Sequence, residues 1–196
     1  MFFLPDQTGI NIWAFQLMKS IASPALNTFL SYFAESFYIV LPLVIVYLIL
    51  KKEKSVYAFS ASLFILFAVS YILKLLFQEP RPCTMSDLSW INSVSCESGF
   101  SFPSNHAVVL TGPAIFLGKY RVLQALYIIW MLLELFGRVY LGQHYLTDVL
   151  AGAAISIIIS AVIYRYREFI LKIARFFRIT FLTEGMPGSR EGQAQV

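Results

Sequence analysis

Long apolar stretches alternate with short polar clusters along this chain. A spanning helix needs about 17–25 mostly apolar residues, and five segments read as such spans, the first and third being short. They are Ser36 to Leu50, Val56 to Phe77, Asn105 to Leu117, Val122 to Leu141 and Tyr145 to Tyr164. The first ends at Lys51-Lys52-Glu53-Lys54, the third at Lys119-Tyr120-Arg121 and the fifth at Arg165-Tyr166-Arg167. If each segment crosses once, these basic clusters share one side, and the positive-inside rule makes that side cytoplasmic. The segment Ile10 to Phe33 differs. Gln16, Ser20, Ser23, Asn27 and Ser31 recur at spacings of three and four, which draws one polar stripe along a helix. Such a helix lies in the interface or crosses as a sixth span with its stripe facing the bundle. The sixth span is preferred, since an even count puts both termini inside. Glu168 to Phe181 alternates basic residues with aromatics and reads as an amphipathic helix on the cytoplasmic surface. Thr183 to Val196 is Gly-rich and polar and reads as disordered. The expected architecture is all-α: one polytopic transmembrane bundle of about six helices over residues 1–182, then a disordered tail over 183–196.

Composition agrees with a bilayer. The chain is 58% hydrophobic and 13% charged, with mean hydropathy +0.70, whereas soluble domains carry about 25% charged residues. A net charge of +4 could point to nucleic acid. The basic residues sit in short connections between apolar segments, however, so the positive-inside pattern accounts for them and no nucleic-acid partner is expected. Met1 to Ile10 has no basic start and no small-residue cleavage site follows, so no cleaved leader is expected.

Three clusters at segment ends could carry chemistry: Lys74…Arg81-Pro82, Pro103-Ser104-Asn105-His106 and Arg138…His144…Asp148. The topology above puts all three at the extracytoplasmic face. Each has a plain alternative. Lys74 alone is a snorkelling lysine, and Arg81 alone an interfacial arginine at a helix stop. Pro80 and Pro82 disfavour helix around Arg81, so the chain leaves the membrane there and can fold Arg81 over the mouth of the bundle. Ser104 is a candidate N-cap, and the amides after it, with the positive end of the helix dipole, suit an anion. His106 could equally be a neutral structural histidine. His144 and Asp148 are four apart and share a helix face. A carboxylate beside an imidazole fixes its tautomer and raises its basicity; the alternative is a surface pair of little energetic weight. The chain has only two histidines, and both fall at one face beside three cations. Together these are the parts of a metal-free phosphoryl-transfer site, where positioning and charge do most of the catalysis. Arginine suits bidentate phosphate contact and lysine supplies a point charge.

The spacing Lys-x6-Arg-Pro, Pro-Ser-x-His and Arg-x5-His-x3-Asp resembles the type 2 phosphatidic acid phosphatase (PAP2) family, which shares its active site with vanadium haloperoxidases. The resemblance covers Lys74 to Gly152. It implies an all-helical bundle with its site at the membrane surface and a phosphatase needing no cofactor or metal. It implies that His144 is the nucleophile and forms a phosphohistidine, that Asp148 orients it and that His106 is the general acid. Lys74, Arg81, Ser104, Asn105 (by its backbone amide) and Arg138 would bind the phosphoryl oxygens. Two positions depart from the pattern. Asn105 stands where the family has Gly, at a position that contributes mainly its amide. Gly137 stands where Ser usually precedes the arginine, which removes a hydroxyl donor to the phosphate or a support for Arg138.

Other residues extend the reading. Glu134 lies one turn before Arg138 within a span, where an ionisable group is expensive and functional by default. It either aims Arg138 or is a protonated structural acid. Cys83 and Cys96 are the only cysteines; on the outer side a disulfide persists, and two free thiols are the alternative. Glu79, Asp87 and Glu97 follow no carboxylate–histidine metal spacing, so no metal is expected. The short loops make no deep soluble pocket, which suggests a membrane lipid phosphate as substrate. The context Ser101 to Ala107 and the compact length are most similar to polyprenyl (undecaprenyl) diphosphate phosphatases. Phosphatidate or phosphatidylglycerophosphate hydrolysis is the runner-up. A channel or transporter would place its charges at the bilayer midplane. Here, apart from Glu134, and Lys19 if the first segment spans, they gather near the ends.

Overall fold

The computed structural model describes residues 9–85 and 96–172. The tail from 183 and most of the stretch Glu168 to Phe181 lie outside them. The described part is helical: α1 Gly9–Ser20, α2 Pro24–Phe33, α3 Phe37–Leu50, α4 Ser55–Phe77, α5 Pro82–Met85, α6 Asn105–Leu110, a 3-10 turn Gly112–Leu117, α7 Arg121–Tyr140 and α8 Leu146–Arg165. Residues 167–172 are helical again.

Among the described residues, only α4, α7 and α8 are single helices long and apolar enough to cross a membrane. At 23 residues α4 spans about 35 Å. The other expectations change in detail. Ile10 to Phe33 is not one helix. Ser23 caps a new helix with Pro24 at its first position, its hydroxyl accepting from Leu26 N–H at 3.3 Å. α1 is therefore too short to cross alone. α3 has 14 residues, about 21 Å, and also falls short. It joins α2 across residues 34–36 as a pair bent by 42° that together suffices for a span. Asn105 to Leu117 starts as α-helix and tightens to 3-10 at Gly112-Pro113.

The packing explains that third segment. α8 presents Gly152, Ser156 and Ser160 toward α6 and the 3-10 turn. A Cβ on Gly112 would stand 2.2 Å from the Ser156 carbonyl oxygen, and one on Gly152 3.0 Å from Ala107 Cβ. Ser156 Oγ donates to the Val108 carbonyl at 2.5 Å and accepts from Gly112 N–H at 2.7 Å. Small residues with a shared hydroxyl thus bring two backbones together where lipid gives no hydrophobic drive.

The bundle has two chemically distinct ends. Glu53 accepts from Lys119 and from Tyr120 Oη, and Phe116 packs on Tyr164. The ends of α3, the 3-10 turn and α8 therefore lie together, with their basic clusters. The other end gathers residues 79–84, 97–106 and 138–148.

Candidate active site

α4 ends at Gln78 in the left-handed region (φ 48°), a common way to close a helix. Lys74 sits in its last turn, nine-tenths buried, and Nζ donates to the carbonyls of Phe100 (2.5 Å) and Ser101 (3.2 Å). Arg81 lies just beyond the break. It donates from Nη1 to the Gln143 carbonyl at 2.9 Å, and Nη1 stands 3.3 Å from His144 Nε2. Arg138, in the last turn of α7, reaches Glu97 and His106 Nε2 and donates from Nη2 to the Ala34 carbonyl at 2.8 Å. The two histidines and three cations expected from sequence are thus gathered at one end of the bundle.

His144 lies in the turn between α7 and α8, fully buried. The pair with Asp148 is close, but not because both ride one helix face. His144 precedes α8, whereas Asp148 is in its first turn, where Oδ2 accepts from Tyr145 N–H at 2.9 Å and closes the helix start. His144 Nδ1 is 3.6 Å from that oxygen, beyond a hydrogen bond. Ser101 fills the gap: its hydroxyl donates to Asp148 Oδ2 at 2.5 Å and lies 3.4 Å from His144 Nδ1. Nδ1 therefore faces the acid–hydroxyl pair and Nε2 faces the cations. A guanidinium has no acceptor, so Nε2 keeps its lone pair toward Arg81. Burial, with Arg81, Lys74 and Arg138 nearby and Glu97 opposing, pushes the imidazole well below its usual pKa. A neutral ring with a free Nε2 lone pair is the form that can attack phosphorus.

Ser104 occupies the N-cap position of α6 but makes no cap hydrogen bond. Its buried hydroxyl has no partner, which leaves a donor beside the histidines. Asn105 Oδ1 accepts from Ser70 Oγ of α4 at 2.5 Å, so its side chain is occupied there. His106 stacks edge-on against Phe37 at 4.4 Å. A Cβ at Gly137 would meet Leu30 of α2 at 3.6 Å, so that position looks away from the cations.

Of the two readings open for Glu134, the hydrogen-bonded structural acid fits its contacts. Its Oε1 accepts from Ser36 Oγ at 2.7 Å, and Ser36 Oγ accepts from Trp130 Nε1 at 2.8 Å. Trp130, Glu134 and Arg138, four apart on α7, all grip the bend at residues 34–36. Arg138 takes its carboxylate partner from Glu97 instead. Burial alone would raise the Glu97 carboxyl, but Arg138 and Arg81 outweigh it and hold it below the usual range. Cys83 and Cys96 form a disulfide next to Glu97, whose N–H donates to Gln143 Oε1 at 3.0 Å. Ser101, Gln143 and Glu97 were given no role from sequence. The signal for Ser101 was its place three residues before Ser104, on the strand of loop that returns to the site. Among the described residues no three His, Cys, Asp or Glu side chains gather as a metal site.

A cavity of about 420 Å³ adjoins this end. Glu35, Glu97, Asn105, His106 and Arg138 form its polar part, and Phe37, Tyr38, Phe67, Val109 and Leu110 its apolar part.

A PAP2 superfamily profile matches residues 55–172, more than half of the chain. The chain belongs to the PAP2 superfamily. The motifs of this PAP2 protein all fall inside the matched region. It is 39% identical over 74 residues to a lipid A 4'-phosphatase of Bacteroides thetaiotaomicron, covering 36% of this chain and 33% of that protein. It is 29% identical over 101 residues to the undecaprenyl-diphosphatase BcrC of Bacillus subtilis, covering 51% of each. The chain thus matches about half the length of these relatives or less. The crystal structure of Aquifex aeolicus LpxE superposes with TM-score 0.73 at 25% identity, over 84% of this chain and all of that one. A transmembrane PAP2-type phosphatidylglycerolphosphate phosphatase from Bacillus subtilis superposes with TM-score 0.65 at 23% identity, over 84% and 90%. With three apolar helices of spanning length, this PAP2 protein is a membrane protein.

Proposed function

We propose that this PAP2 protein is a lipid phosphatase of the plasma membrane that hydrolyses a polyprenyl diphosphate to the monophosphate and inorganic phosphate, at the extracytoplasmic face and without a metal. One observation carries the proposal: Lys74, Arg81 and Arg138 surround His144 and His106 at the bundle end opposite the basic clusters.

His144 Nε2 attacks the terminal phosphorus, and the bond to the bridging oxygen breaks. His106 supplies a proton to that oxygen, and the lipid monophosphate leaves. Water then attacks the phosphohistidine, giving its proton to His106, and inorganic phosphate departs. Asp148, with Ser101, holds the His144 ring through Nδ1. Lys74, Arg81, Ser104 and Arg138 take the phosphoryl oxygens, and preorganised donors of this kind contribute roughly 3–4 kcal/mol each. The cavity walls of Phe37, Tyr38, Phe67, Val109 and Leu110 suit the start of a lipid chain, so the head can reach the cations laterally from the bilayer.

The deciding experiment is phosphate release by purified protein, with EDTA present, from a polyprenyl diphosphate, phosphatidate, phosphatidylglycerophosphate and lipid A. The expected result is highest kcat/KM on the polyprenyl diphosphate. Equal or better hydrolysis of phosphatidate or phosphatidylglycerophosphate moves the substrate assignment to them, and no release from any of the four defeats the phosphatase reading.

The His106 role has its own test. His106→Ala is expected to slow lipid substrates far more than an activated aryl phosphate, because a leaving group that needs no proton gains little from a general acid. Equal losses on both would remove His106 from that role.

A further inference from the structure

The anion seat of this reaction is already filled by a group of the protein. Glu97 Oε2 lies 3.1 Å from Arg81 Nη2, and Oε1 pairs with Arg138 Nη1. One carboxylate therefore bridges the two guanidiniums that, on the proposed mechanism, hold phosphoryl oxygens. Its position is well defined. The Glu97 N–H is held by Gln143, its neighbour Cys96 is bonded to Cys83, and the Ser98 and Gly99 carbonyls accept from Arg81. The side chain is 37% exposed, so it stands at the mouth of the site, where it also lines the cavity beside His106 and Arg138.

We infer that Glu97 is a specificity-determining residue: an internal monoanion that an incoming phosphate must displace, and that keeps phosphodiester head groups out. The inference rests on the phosphatase reading above. Lys74, Arg81 and Arg138 carry three positive charges, of which the carboxylate offsets one. A terminal phosphate brings nearly two negative charges near neutral pH and three oxygens. A phosphodiester brings one charge and two free oxygens, no more than the carboxylate it would replace. Exchange is therefore favourable for the monoester or diphosphate end and has nothing to gain for the diester. Tethering adds to this, since a group on a short segment competes at an effective concentration in the millimolar range. Phosphodiester lipids are the bulk of a phospholipid bilayer, and an open three-cation seat in contact with them would be held by them. Discrimination here comes from the competitor that must be expelled as much as from contacts with the substrate.

Calorimetric titration of the purified protein in detergent tests this with inorganic phosphate and dimethyl phosphate as probes. The wild type is expected to bind inorganic phosphate and to give no binding heat with dimethyl phosphate. Glu97→Gln should bind inorganic phosphate up to about fivefold tighter, the range for removing one half-exposed competing ion pair, and should gain dimethyl phosphate binding. Glu97→Asp, which keeps the charge, should still exclude the diester. In turnover, short-chain phosphatidylglycerol should become a competitive inhibitor of Glu97→Gln, raising KM. Phosphate binding in Glu97→Gln that is no tighter than wild type overturns the inference, and Glu97 then serves to aim the guanidiniums. Should that variant not fold, the wild type decides: equal inhibition by dimethyl phosphate and inorganic phosphate at pH 8 overturns the inference, and selective inhibition by inorganic phosphate supports it. The binding titrations need no turnover, so a failure of the phosphatase reading in the release assay remains separate from a failure here.

Discussion

His144→Ala is expected to abolish turnover, lowering kcat by at least about 10⁴-fold, as removal of a covalent nucleophile does elsewhere. The ring is set for attack: Nε2 faces Arg81 while Nδ1 is turned to Ser101 and Asp148. The variant should remain folded. Asp148 keeps its bonds from Ser101 Oγ and Tyr145 N–H, and the α8 start does not depend on the imidazole. Trapping with labelled substrate should give an acid-labile phosphoenzyme in the wild type that maps to His144 and none in the variant. The pH dependence follows the same geometry. The imidazole pKa is pushed well below its usual value, so the ring stays unprotonated as pH falls through about 6.5. An acidic limb of kcat/KM in the free enzyme should therefore not appear at that pH on account of His144. Near-normal turnover by His144→Ala would end the assignment.

The second large effect is expected at Arg138. It reaches Glu97, His106 and the Ala34 carbonyl from one planar group, which a flexible point charge cannot reproduce. Arg138→Gln should lose about 10²–10³-fold in kcat/KM, and Arg138→Lys should fall between it and the wild type. Because Arg138 also ties down the bend between α2 and α3, a structural contribution has to be separated. Ser36→Ala loosens that bend through Glu134 and Trp130 without touching the cations. A loss in Ser36→Ala as large as in Arg138→Gln would show that anchoring, rather than phosphate contact, is what Arg138 supplies. Thermal midpoints of the three variants complete the comparison.

Much of this arrangement can be read without coordinates. The apolar runs of α4, α7 and α8 mark three candidate spans directly, because a crossing helix needs about 17–25 mostly apolar residues. The three polar clusters stand out because charge is rare in this chain, and their order fixes which of them can meet. What could not be read depends on short-range backbone geometry. Pro24 begins α2, but only the structure shows that α2 and α3 form a pair bent by 42°. The α6 segment lies close against α8 at Gly112 and Gly152, where a Cβ would collide. Glu97, not Glu134, is the carboxylate that pairs with Arg138, for a related reason. One turn of helix places Glu134 near Arg138 in sequence terms, yet the guanidinium points out of the helix end, toward a loop whose path no periodicity encodes.

The seam between α6 and α8 has a consequence for how this site could vary. A Cβ at Gly152 would stand 3.1 Å from the Ser104 carbonyl oxygen and 3.2 Å from Val108 Cγ2, so that glycine sets the spacing between the segment bearing Ser104 and His106 and the helix bearing Asp148. It works as a shim of zero thickness. A methyl group there would press on Ala107, the Ser104 carbonyl and Val108, which would have to give by a few tenths of an ångström. Variation that shifts Ser104 and His106 relative to Asp148 is therefore to be sought one helical turn along α8 from Asp148, at a residue with no side chain of its own.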